Sequence, residues 1–357
     1  MESFRPVWAV TNNNKFENGD RSMVTLKEIS ADCGISVTQV SRALNGYSDV
    51  SEETRTKVLE SADKLGYVKN IMASSLVKQN SNMIALVIEG SEVDQNADNV
   101  GSPNIYHIEL GVSKSSMELG LEPFIYLKHR KQRMDYVAFC KQRYISGIIL
   151  FGSNYDDPDR IALENSGFPC VFIDITTENE GCGCVVTNNS YYSKIAVDHM
   201  LAHGCQKIAV IAGSPQAYVT HERLSGYQTA LSIRNFPYLP ELIYYANFNT
   251  HAARKATRSL LEKNPDIDGF FCMSDEMALA CMEEVTMLGK KIPDDIRIFG
   301  FDGNQYMQFV RPRLTTMQQD FTQKGIASVH LLNDIIQKRP CSHTLYVPCK
   351  MLSGETV

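Results

Sequence analysis

The sequence predicts an all-α helix-turn-helix headpiece joined to an α/β core of two doubly wound parallel-sheet lobes. Two helix-start signals stand close together near residues 25 and 36, as a helix-turn-helix requires. From residue 83 onward, short apolar segments alternate with amphipathic helical stretches. This alternation is typical of parallel sheets covered by helices on both faces. The strand candidates are too many for one sheet of ordinary size, so two lobes are expected.

The 357-residue chain has the composition of an ordinary globular protein, with 43% hydrophobic and 21% charged residues. Lys and Arg total 35 against 41 Asp and Glu, a net charge of −6, and this balance by itself argues against a simple nucleic-acid binder. The acidic excess lies elsewhere, however: residues 1–22 hold three basic and three acidic side chains, and residues 23–80 hold seven of each. The headpiece is therefore neutral, and the negative charge belongs to the core.

Several classes of protein are not expected. Apolar runs such as Ile84–Ile88 are far shorter than the ~20 residues of a membrane helix, and residues 1–10 lack the layout of a signal peptide. The ten cysteines show neither CxxC nor zinc-ligand spacing, which predicts free thiols in a reducing cytoplasm, without metal or cofactor. His199 and His203 lie four residues apart but without the Glu of a zinc-protease motif, so an enzyme is not expected.

The chain divides into four zones. Residues 1–22 are polar and irregular, and they are either a disordered extension or the product of a mis-assigned start, with Met23 as the true initiator. Residues 23–70 form the headpiece, residues 71–82 a short bridge, and residues 83–357 the two-lobed core.

Local signals predict each helix of the headpiece. Thr25 with Glu28, and Ser36 with Gln39, have the spacing of capping boxes. The first helix ends at Gly34, and the second spans Val37–Leu44. A third begins at Ser51, with acidic residues in its first turn, and ends at Gly66.

The outer face of the second helix carries side chains able to reach DNA. Arg42 suits a bidentate bond to guanine, and Val37 or the methyl group of Thr38 suits a thymine methyl. Ser41, Asn45 and the capping residue Thr25 suit phosphate oxygens, which position a protein without reading sequence.

These residues also carry a resemblance. The segments Val24–Ser30, Gly34–Gly46, Val50–Arg55 and Leu65–Tyr67 resemble the headpiece of the lactose/galactose repressor (LacI/GalR) family almost continuously. The resemblance implies that Val37, Thr38 and Arg42 read the operator in the major groove. It assigns backbone contacts to the remaining polar positions, which are Thr25, Ser36, Gln39, Ser41, Asn45 and Tyr67.

The bridge resembles the hinge helix of the same family. There an Ala-x-x-Leu element enters the minor groove at the centre of the operator, which implies this role for Ala73 and Leu76. Inserting an apolar side chain unstacks one base step in exchange for a bent duplex with more protein contacts. Many members have arginine after the alanine, whereas this chain has Ser74.

The core is predicted from its strands and from the polar groups that follow them. The strand candidates are Ile84–Ile88, Pro123–Tyr126, Gly147–Phe151, Cys170–Ile173, Ile208–Ile211, Leu242–Tyr245, Gly269–Met273 and Ile296–Gly300. Open α/β sheets present ligand-binding groups at the carboxyl ends of strands, where Glu89, Asp174, Ser274 and Asp302 stand. Arg223 opens a helix, Phe248 follows another strand, and Asp275 is expected to cap the next helix.

The core also resembles the family's ligand-binding core, which is similar to periplasmic sugar-binding proteins. Its landmarks include Arg223–Tyr227, Gly300–Gly303 and a lobe-crossing strand within Pro312–Asp320. The resemblance implies that Arg223 and Asp302 clamp polar groups of an effector while Phe248 stacks on it. The chain departs from the family pattern at Thr187, Gly303 and Ser274, which leaves the ligand open.

The expected function is a homodimeric repressor that binds a pseudo-palindromic operator in double-stranded DNA. A small sugar or sugar derivative is expected to release it and so to switch on a carbohydrate-utilisation operon. Two alternatives stay open at this point: a purine- or nucleoside-responsive repressor that uses a corepressor, and a solute-binding protein without DNA function.

Overall fold

The computed structural model describes residues 24–67, 82–90, 103–129 and 132–357. The extension at 1–22, Met23, and the hinge residues Ala73, Ser74 and Leu76 lie outside the described residues. The chain divides after Gln79 into two compact units, and each unit is described by itself.

Residues 24–67 of the smaller unit form a three-helix headpiece with the predicted helix boundaries. Helix α1 spans Leu26–Cys33, α2 spans Val37–Leu44 and α3 spans Glu52–Leu65. The Glu28 carboxylate accepts bonds from the backbone N–H and the hydroxyl of Thr25 at 2.6 and 2.9 Å, while Ser36 and Ser51 cap the next two helices. A small apolar core joins them, formed by Ile29, Cys33, Val40, Ala43, Val58 and Ala62.

The larger unit alternates strands and helices as predicted. The first lobe is built from β1 Met83–Gly90, α4 Pro103–Glu118, β2 Glu122–His129, α5 Tyr136–Gln142, β3 Gly147–Phe151, α6 Pro158–Glu164, β4 Cys170–Ile173 and β5 Cys182–Val186. The second lobe continues with α7 Asn189–Ala202, β6 Ile208–Ala212, α8 Tyr218–Ile233, β7 Ile243–Tyr245, α9 Thr250–Lys263, β8 Gly269–Cys272, α10 Asp275–Met287, β9 Arg297–Asp302 and β10 Thr315–Gln318. The chain then returns to the first lobe with α11 Phe321–Ile336 and β11 Thr344–Tyr346, and re-enters the second with β12 Lys350–Leu352.

Each lobe contains one six-stranded sheet. The order in the first is β11-β5-β4-β3-β1-β2, and every neighbouring pair is parallel. The order in the second is β12-β10-β9-β8-β6-β7, in which β12 alone runs antiparallel to its neighbour. Between residues 132 and 357 the chain passes between the lobes after β5, β10 and β11. Three connecting segments therefore join the two lobes.

The structure confirms the eight predicted strands and changes some of their ends. Leu242 lies in a 3-10 turn and not in β7, and β9 begins at Arg297 rather than Ile296. Strand β10 lies inside the segment predicted to cross between the lobes. Strands β5, β11 and β12 had not been predicted, because β5 begins Cys-Gly-Cys and the other two have three residues each, too short for a recognisable alternation.

The state of the cysteines and the lengths of the helices complete the description of the fold. All ten cysteines are free thiols, and eight of them are buried. In the described part of the chain, every helix is too short or too polar to span a bilayer.

Two glycines allow α4 and α11 to touch on one face of the first sheet. A Cβ atom on Gly325 would lie 2.4 Å from the carbonyl oxygen of Ile108, and one on Gly111 would lie 2.1 Å from that of Thr322. Both obstacles are backbone atoms, which cannot move aside without displacing a helix.

We therefore expect Gly325→Ala to lower the free energy of unfolding by about 1–3 kcal/mol, the usual cost of overpacking. Urea or thermal denaturation measures the loss. Gly90→Ala is the matched control, since a Cβ there meets no atom within 4 Å. Equal stability of the two variants would contradict the close helix contact.

Candidate functional site

The first turn of α2 presents the predicted base-reading side chains to solvent. Val37, Thr38 and Gln39 are all exposed, because the apolar face of the helix, with Val40 and Ala43, is turned into the headpiece core. An α-helix with such a face has the dimensions to enter a DNA major groove.

Arg42, on the same helix, is positioned by the side chains of Asp49 and Tyr47. Its guanidinium forms an ion pair with Asp49 and lies 4.8 Å from the ring centroid of Tyr47. The ion pair raises the pKa of Arg42 and lowers that of Asp49. Because the arginine side chain stays 43% exposed, a guanine can replace Asp49 as its hydrogen-bond acceptor.

The residues predicted to contact phosphates differ in the hydrogen bonds that their side chains already form within the headpiece. The Thr25 hydroxyl donates to Glu28 at 2.9 Å, and the Asn45 amide donates to the carbonyl oxygen of Ser41 at 2.8 Å. The Ser36 hydroxyl accepts from the backbone N–H of Gln39 at 3.4 Å. Tyr67 follows α3 and is half-buried against the headpiece core.

In the core, the centre of the candidate ligand site is the buried carboxylate of Asp302, at the end of β9. Its Oδ1 accepts a bond from the Gln319 amide at 2.7 Å, and its Oδ2 accepts one from Asn104 at 3.2 Å. Asn104 belongs to α4 of the first lobe, so this carboxylate joins the two lobes. Burial raises the pKa of Asp302 to about 7, against the opposite effect of the Arg223 charge.

Arg223 lies beside Asp302 and is 4% exposed. Its Nη2 is 3.9 Å from Asp302 Oδ1, and its Nε donates to Asn189 Oδ1 at 2.9 Å. Its Nη1 donates to the carbonyl oxygen of Met273 at 2.5 Å, and its guanidinium stacks 3.9 Å from the Phe301 ring centroid. The arginine is thus oriented from several sides, and Asn189 ties it to the crossing after β5.

Asp174 is brought to the same region by a lysine that sequence reasoning missed. Lys324, fully buried in the first turn of α11, donates to Asp174 Oδ1 at 2.5 Å and to Gln319 Oε1 at 2.7 Å. Gln319 in turn bonds to Asp302. A continuous hydrogen-bonded chain therefore runs from Asp174 of the first lobe through Lys324 and Gln319 to Asp302 of the second.

The structure corrects the expectation for Asp275 and assigns the cap of α10 to Ser274. Ser274 is the N-cap of α10, and its hydroxyl accepts from the backbone N–H of Met277 at 3.2 Å. Asp275 does not cap that helix: it accepts bonds from the backbone N–H of Asn304 at 2.7 Å and from the Thr316 hydroxyl at 2.6 Å. Its buried carboxylate holds β9 and β10 together at their cleft end, and burial raises its pKa.

Phe248 follows β7 in the left-handed conformation, with a φ of 57°. Its ring rests on Gly213 at the end of β6, so closely that a Cβ there would come within 2.1 Å of the ring. The ring stays 38% exposed, which leaves it able to support a flat ligand surface.

Glu89 lies in a different cluster from the other predicted effector residues. Its carboxylate is bonded to Lys128 at 2.9 Å and to the Tyr136 hydroxyl, within the first lobe. Asp157 and Asp159 stand 3.6 and 3.9 Å from the same lysine. The hydrogen-bonded chain that contains Asp174 and Asp302 does not include it.

The lobes also touch along the cleft away from Asp302. The backbone N–H of Tyr155 donates to the carbonyl oxygen of Gln216 at 3.3 Å, and the Thr176 hydroxyl donates to that of Tyr218 at 2.7 Å. A cavity of about 350 Å³ lies beside Asp302, with Asn104, Gln319 and Lys350 in its wall. Its volume is within the range of small-molecule sites, and it adjoins the polar chain at Asp302 and Gln319, whereas Arg223, Asp174 and Phe248 are not in its wall.

Sequence spacing did not reveal several members of this site. Asn104, Asn189 and the neighbouring pair of Gln319 and Lys324 lie far from one another in the chain and meet only when the lobes pack. The one usable signal was Lys324 itself, a lysine on the face of α11 that also carries Gly325 and Ser328 into the core.

Comparisons with known proteins agree with this geometry. Residues 25–70 match the family of bacterial regulatory proteins of the lacI type, and residues 197–357 match the periplasmic binding protein-like domain. A ribose operon repressor from Halalkalibacterium halodurans is 32% identical over 341 residues, which covers 94% of this chain and 97% of that protein.

Solved structures of two regulators share the fold. A complex of the transcriptional regulator CelR with cellobiose is 26% identical, with a TM-score of 0.71 over 94% of this chain and all of that one. A Lac repressor dimer bound to operator and an anti-inducer is 24% identical, with a TM-score of 0.81 over 94% of this chain and 99% of that one. The family consists of regulators and not of enzymes. From the headpiece, the two-lobed core and these relatives, we conclude that the chain belongs to the LacI family of bacterial DNA-binding transcriptional regulators.

Proposed function

We propose that this regulator represses a carbohydrate-utilisation operon in the cytoplasm and leaves its operator when a small sugar enters the cleft. The observation that carries the proposal is the chain of buried polar groups that joins the two lobes through Asp302. Carboxylates, amides and cations that converge from both lobes suit the hydroxyl groups of a sugar. The names of the relatives, which include ribose and cellobiose regulators, support the same ligand class.

The headpiece supplies the DNA contacts in this proposal. Val37, Thr38 and Arg42 read bases in the major groove, and the polar side chains around them bind phosphates. Residues 71–82 act as the hinge between headpiece and core, with Ala73 and Leu76 in the minor groove. Because the headpiece as a whole is neutral, few phosphates are neutralised per copy and tight binding requires two copies on one operator.

The effector contacts come from the cleft. Arg223 and Asp302 bind hydroxyl groups, Phe248 supports one face of the ligand, and Asp174 and Ser274 complete the polar wall. A ligand favours one arrangement of the lobes only to the extent that it binds that arrangement more tightly than the other. Glu89, whose carboxylate bonds to Lys128 and Tyr136 in a separate cluster of the first lobe, is left out of this set.

Purine-responsive regulation is the second candidate. Purine repressors are among the relatives, at 24–26% identity, and the exposed ring of Phe248 would support a nucleobase as well as a sugar. A thermal-shift panel of sugars and nucleobases separates the two.

A second copy of the chain fits an apolar surface on the first lobe. Tyr106, Leu110 and Met117 form an exposed stripe on α4. Ile125 and Leu127 are exposed on β2, an edge strand of the first sheet. They alternate with Phe124 and Tyr126, which pack on the opposite face, so they lie on the face that α4 covers. An apolar patch beside an open strand edge favours pairing between copies.

Arg42→Ala should weaken binding to an operator selected from random duplexes by about 1–3 kcal/mol, the value of one bidentate base contact. Gel-shift or anisotropy titrations against the selected operator and a scrambled duplex measure the difference. Lys57→Ala, which removes an exposed charge from α3, is the control and should affect both duplexes alike. Equal losses on both duplexes for Arg42→Ala would refute base reading by this residue.

Arg223→Ala should abolish release of the operator by the sugar that the panel identifies, while operator binding without sugar persists. The arginine is the cation next to Asp302, and its loss leaves that carboxylate without its nearest positive charge. Operator binding reports that the variant is folded, and Arg254→Ala removes an exposed arginine from the same lobe as a control. A normal response to the sugar in Arg223→Ala would place the ligand elsewhere.

Leu127→Asp should shift the protein from dimer to monomer, because it buries a charge in the proposed contact between copies. Sedimentation velocity or light scattering measures the mass, and operator affinity should fall with it. Ile233→Asp places the same charge on an exposed position of the second lobe and should leave the dimer intact. A dimeric Leu127→Asp protein would exclude this face.

A further inference from the structure

The cleft contains a lysine, Lys324, whose ammonium group is already hydrogen-bonded to groups of the protein. Lys324 is completely buried, and its ammonium group donates to the carboxylate of Asp174 at 2.5 Å and to the amide oxygen of Gln319 at 2.7 Å. A buried lysine is stable only when a carboxylate balances it. The pair of Lys324 and Asp174 therefore contributes no net charge to the site.

Arg223, the second cation of the cleft, is also bonded to groups of the protein. Arg223 directs its Nε to Asn189 and its Nη1 to the carbonyl oxygen of Met273, and its remaining Nη2 faces Asp302. To bond to either of these two cations, an incoming anion would have to draw it away from partners that are fixed in the protein interior. The preorganised donors that an anion needs are thus already satisfied by the protein.

Carboxylates outnumber cations around this chain of contacts. Asn189 also donates to Glu222 Oε2 at 2.9 Å, and burial together with the nearby charge of Asp174 raises the pKa of Glu222. Within this chain of contacts, two cations, Lys324 and Arg223, face four carboxylates, Asp174, Glu222, Asp275 and Asp302. Lys350 adds a third cation, in the wall of the neighbouring cavity. Such carboxylates readily accept hydrogen bonds from hydroxyl groups. The burial that raises the pKa of Glu222, Asp275 and Asp302 also disfavours a further negative charge in the same place.

We infer that the effector is an uncharged polyhydroxylated molecule, and that the pair of Lys324 and Asp174 makes the cleft reject the phosphorylated or carboxylated form of the same sugar. The inference rests on the proposed function, because it concerns the ligand of the same site. Hydroxyl groups donate to Asp302 and Asp174 and accept from the amides of Asn104 and Gln319. A phosphate offers acceptors alone, which the carboxylates of Asp302 and Asp174 cannot satisfy.

This assigns Lys324 and Asp174 a role in specificity that can be separated from folding. Asp174→Asn keeps an oxygen within reach of the Lys324 ammonium but removes the balancing charge. The lysine then becomes a free cation inside the cleft. The double variant Asp174→Asn/Lys324→Gln removes that cation again while keeping the cleft polar.

The experiment uses the full chain and pairs of compounds that differ in charge alone. The pairs are D-ribose with ribose 5-phosphate, D-glucose with glucose 6-phosphate and with glucuronate, and inosine with inosine monophosphate. Isothermal titration at constant pH measures each affinity, after a thermal-shift screen. For the wild-type protein, we expect the charged form to bind on the order of 100-fold more weakly than its uncharged partner.

The variants then test the cause. Asp174→Asn should bring the affinities of the two forms at least about tenfold closer together, and the double variant should restore the original gap. Asp334→Asn, which removes an exposed carboxylate from the same helix as Lys324, should change neither. Operator binding by each variant shows that it is folded.

The outcomes separate this inference from the proposed function. A wild-type protein that binds a sugar phosphate or glucuronate as tightly as the uncharged sugar overturns the inference and leaves sugar sensing intact. Binding of inosine, with rejection of its phosphate and of every sugar, supports the inference and contradicts sugar sensing. A panel without any ligand would contradict both.

Discussion

The closed arrangement of the core depends on the burial of one carboxylate between two lobes. Asp302 belongs to the second lobe, but one of its oxygens is bonded by Asn104 of the first. The other is bonded by Gln319, which stands on a crossing between the lobes. A buried carboxylate that loses its partners is costly, so the lobes cannot separate without a new set of bonds to Asp302. Solvent or a ligand must supply them.

The same constraint explains why the sensor is built from two sheets and three crossings. Two of the crossings lead to groups of the site: Asn189, which bonds to Arg223, follows β5, and Gln319, which bonds to Asp302, follows β10. Small changes in the direction of these segments alter hydrogen bonds in the cleft. A ligand whose hydroxyl groups replace some of those hydrogen bonds changes the relative stability of the lobe arrangements. This change in relative stability is the physical basis of allosteric coupling in the core.

The sequence predicted the local structure well because its signals are local. The headpiece helices begin and end where capping residues and glycines stand, and α2 exposes Val37 and Thr38 because its apolar residues recur at helical spacing. Most core strands were visible as apolar runs, but β5, which begins with Cys-Gly-Cys, and the short strands β11 and β12 were not. The assignment of the cap to Asp275 was wrong because either of two adjacent residues satisfies the capping pattern, and only backbone geometry selects Ser274.

By itself the sequence determined a helix-turn-helix headpiece, an α/β core of two lobes, and a ligand site at the ends of its strands. These follow from hydrophobic periodicity, capping chemistry and family resemblance, all of which are legible within a few neighbouring residues. Only the tertiary structure decided that Lys324 neutralises Asp174, that Asn104 reaches Asp302 across the cleft, and that Glu89 bonds in a separate cluster. Those facts depend on side chains that are up to about 200 positions apart in the chain. Charge pairing in a closed cleft is set by where the lobes place such side chains, which no local pattern encodes.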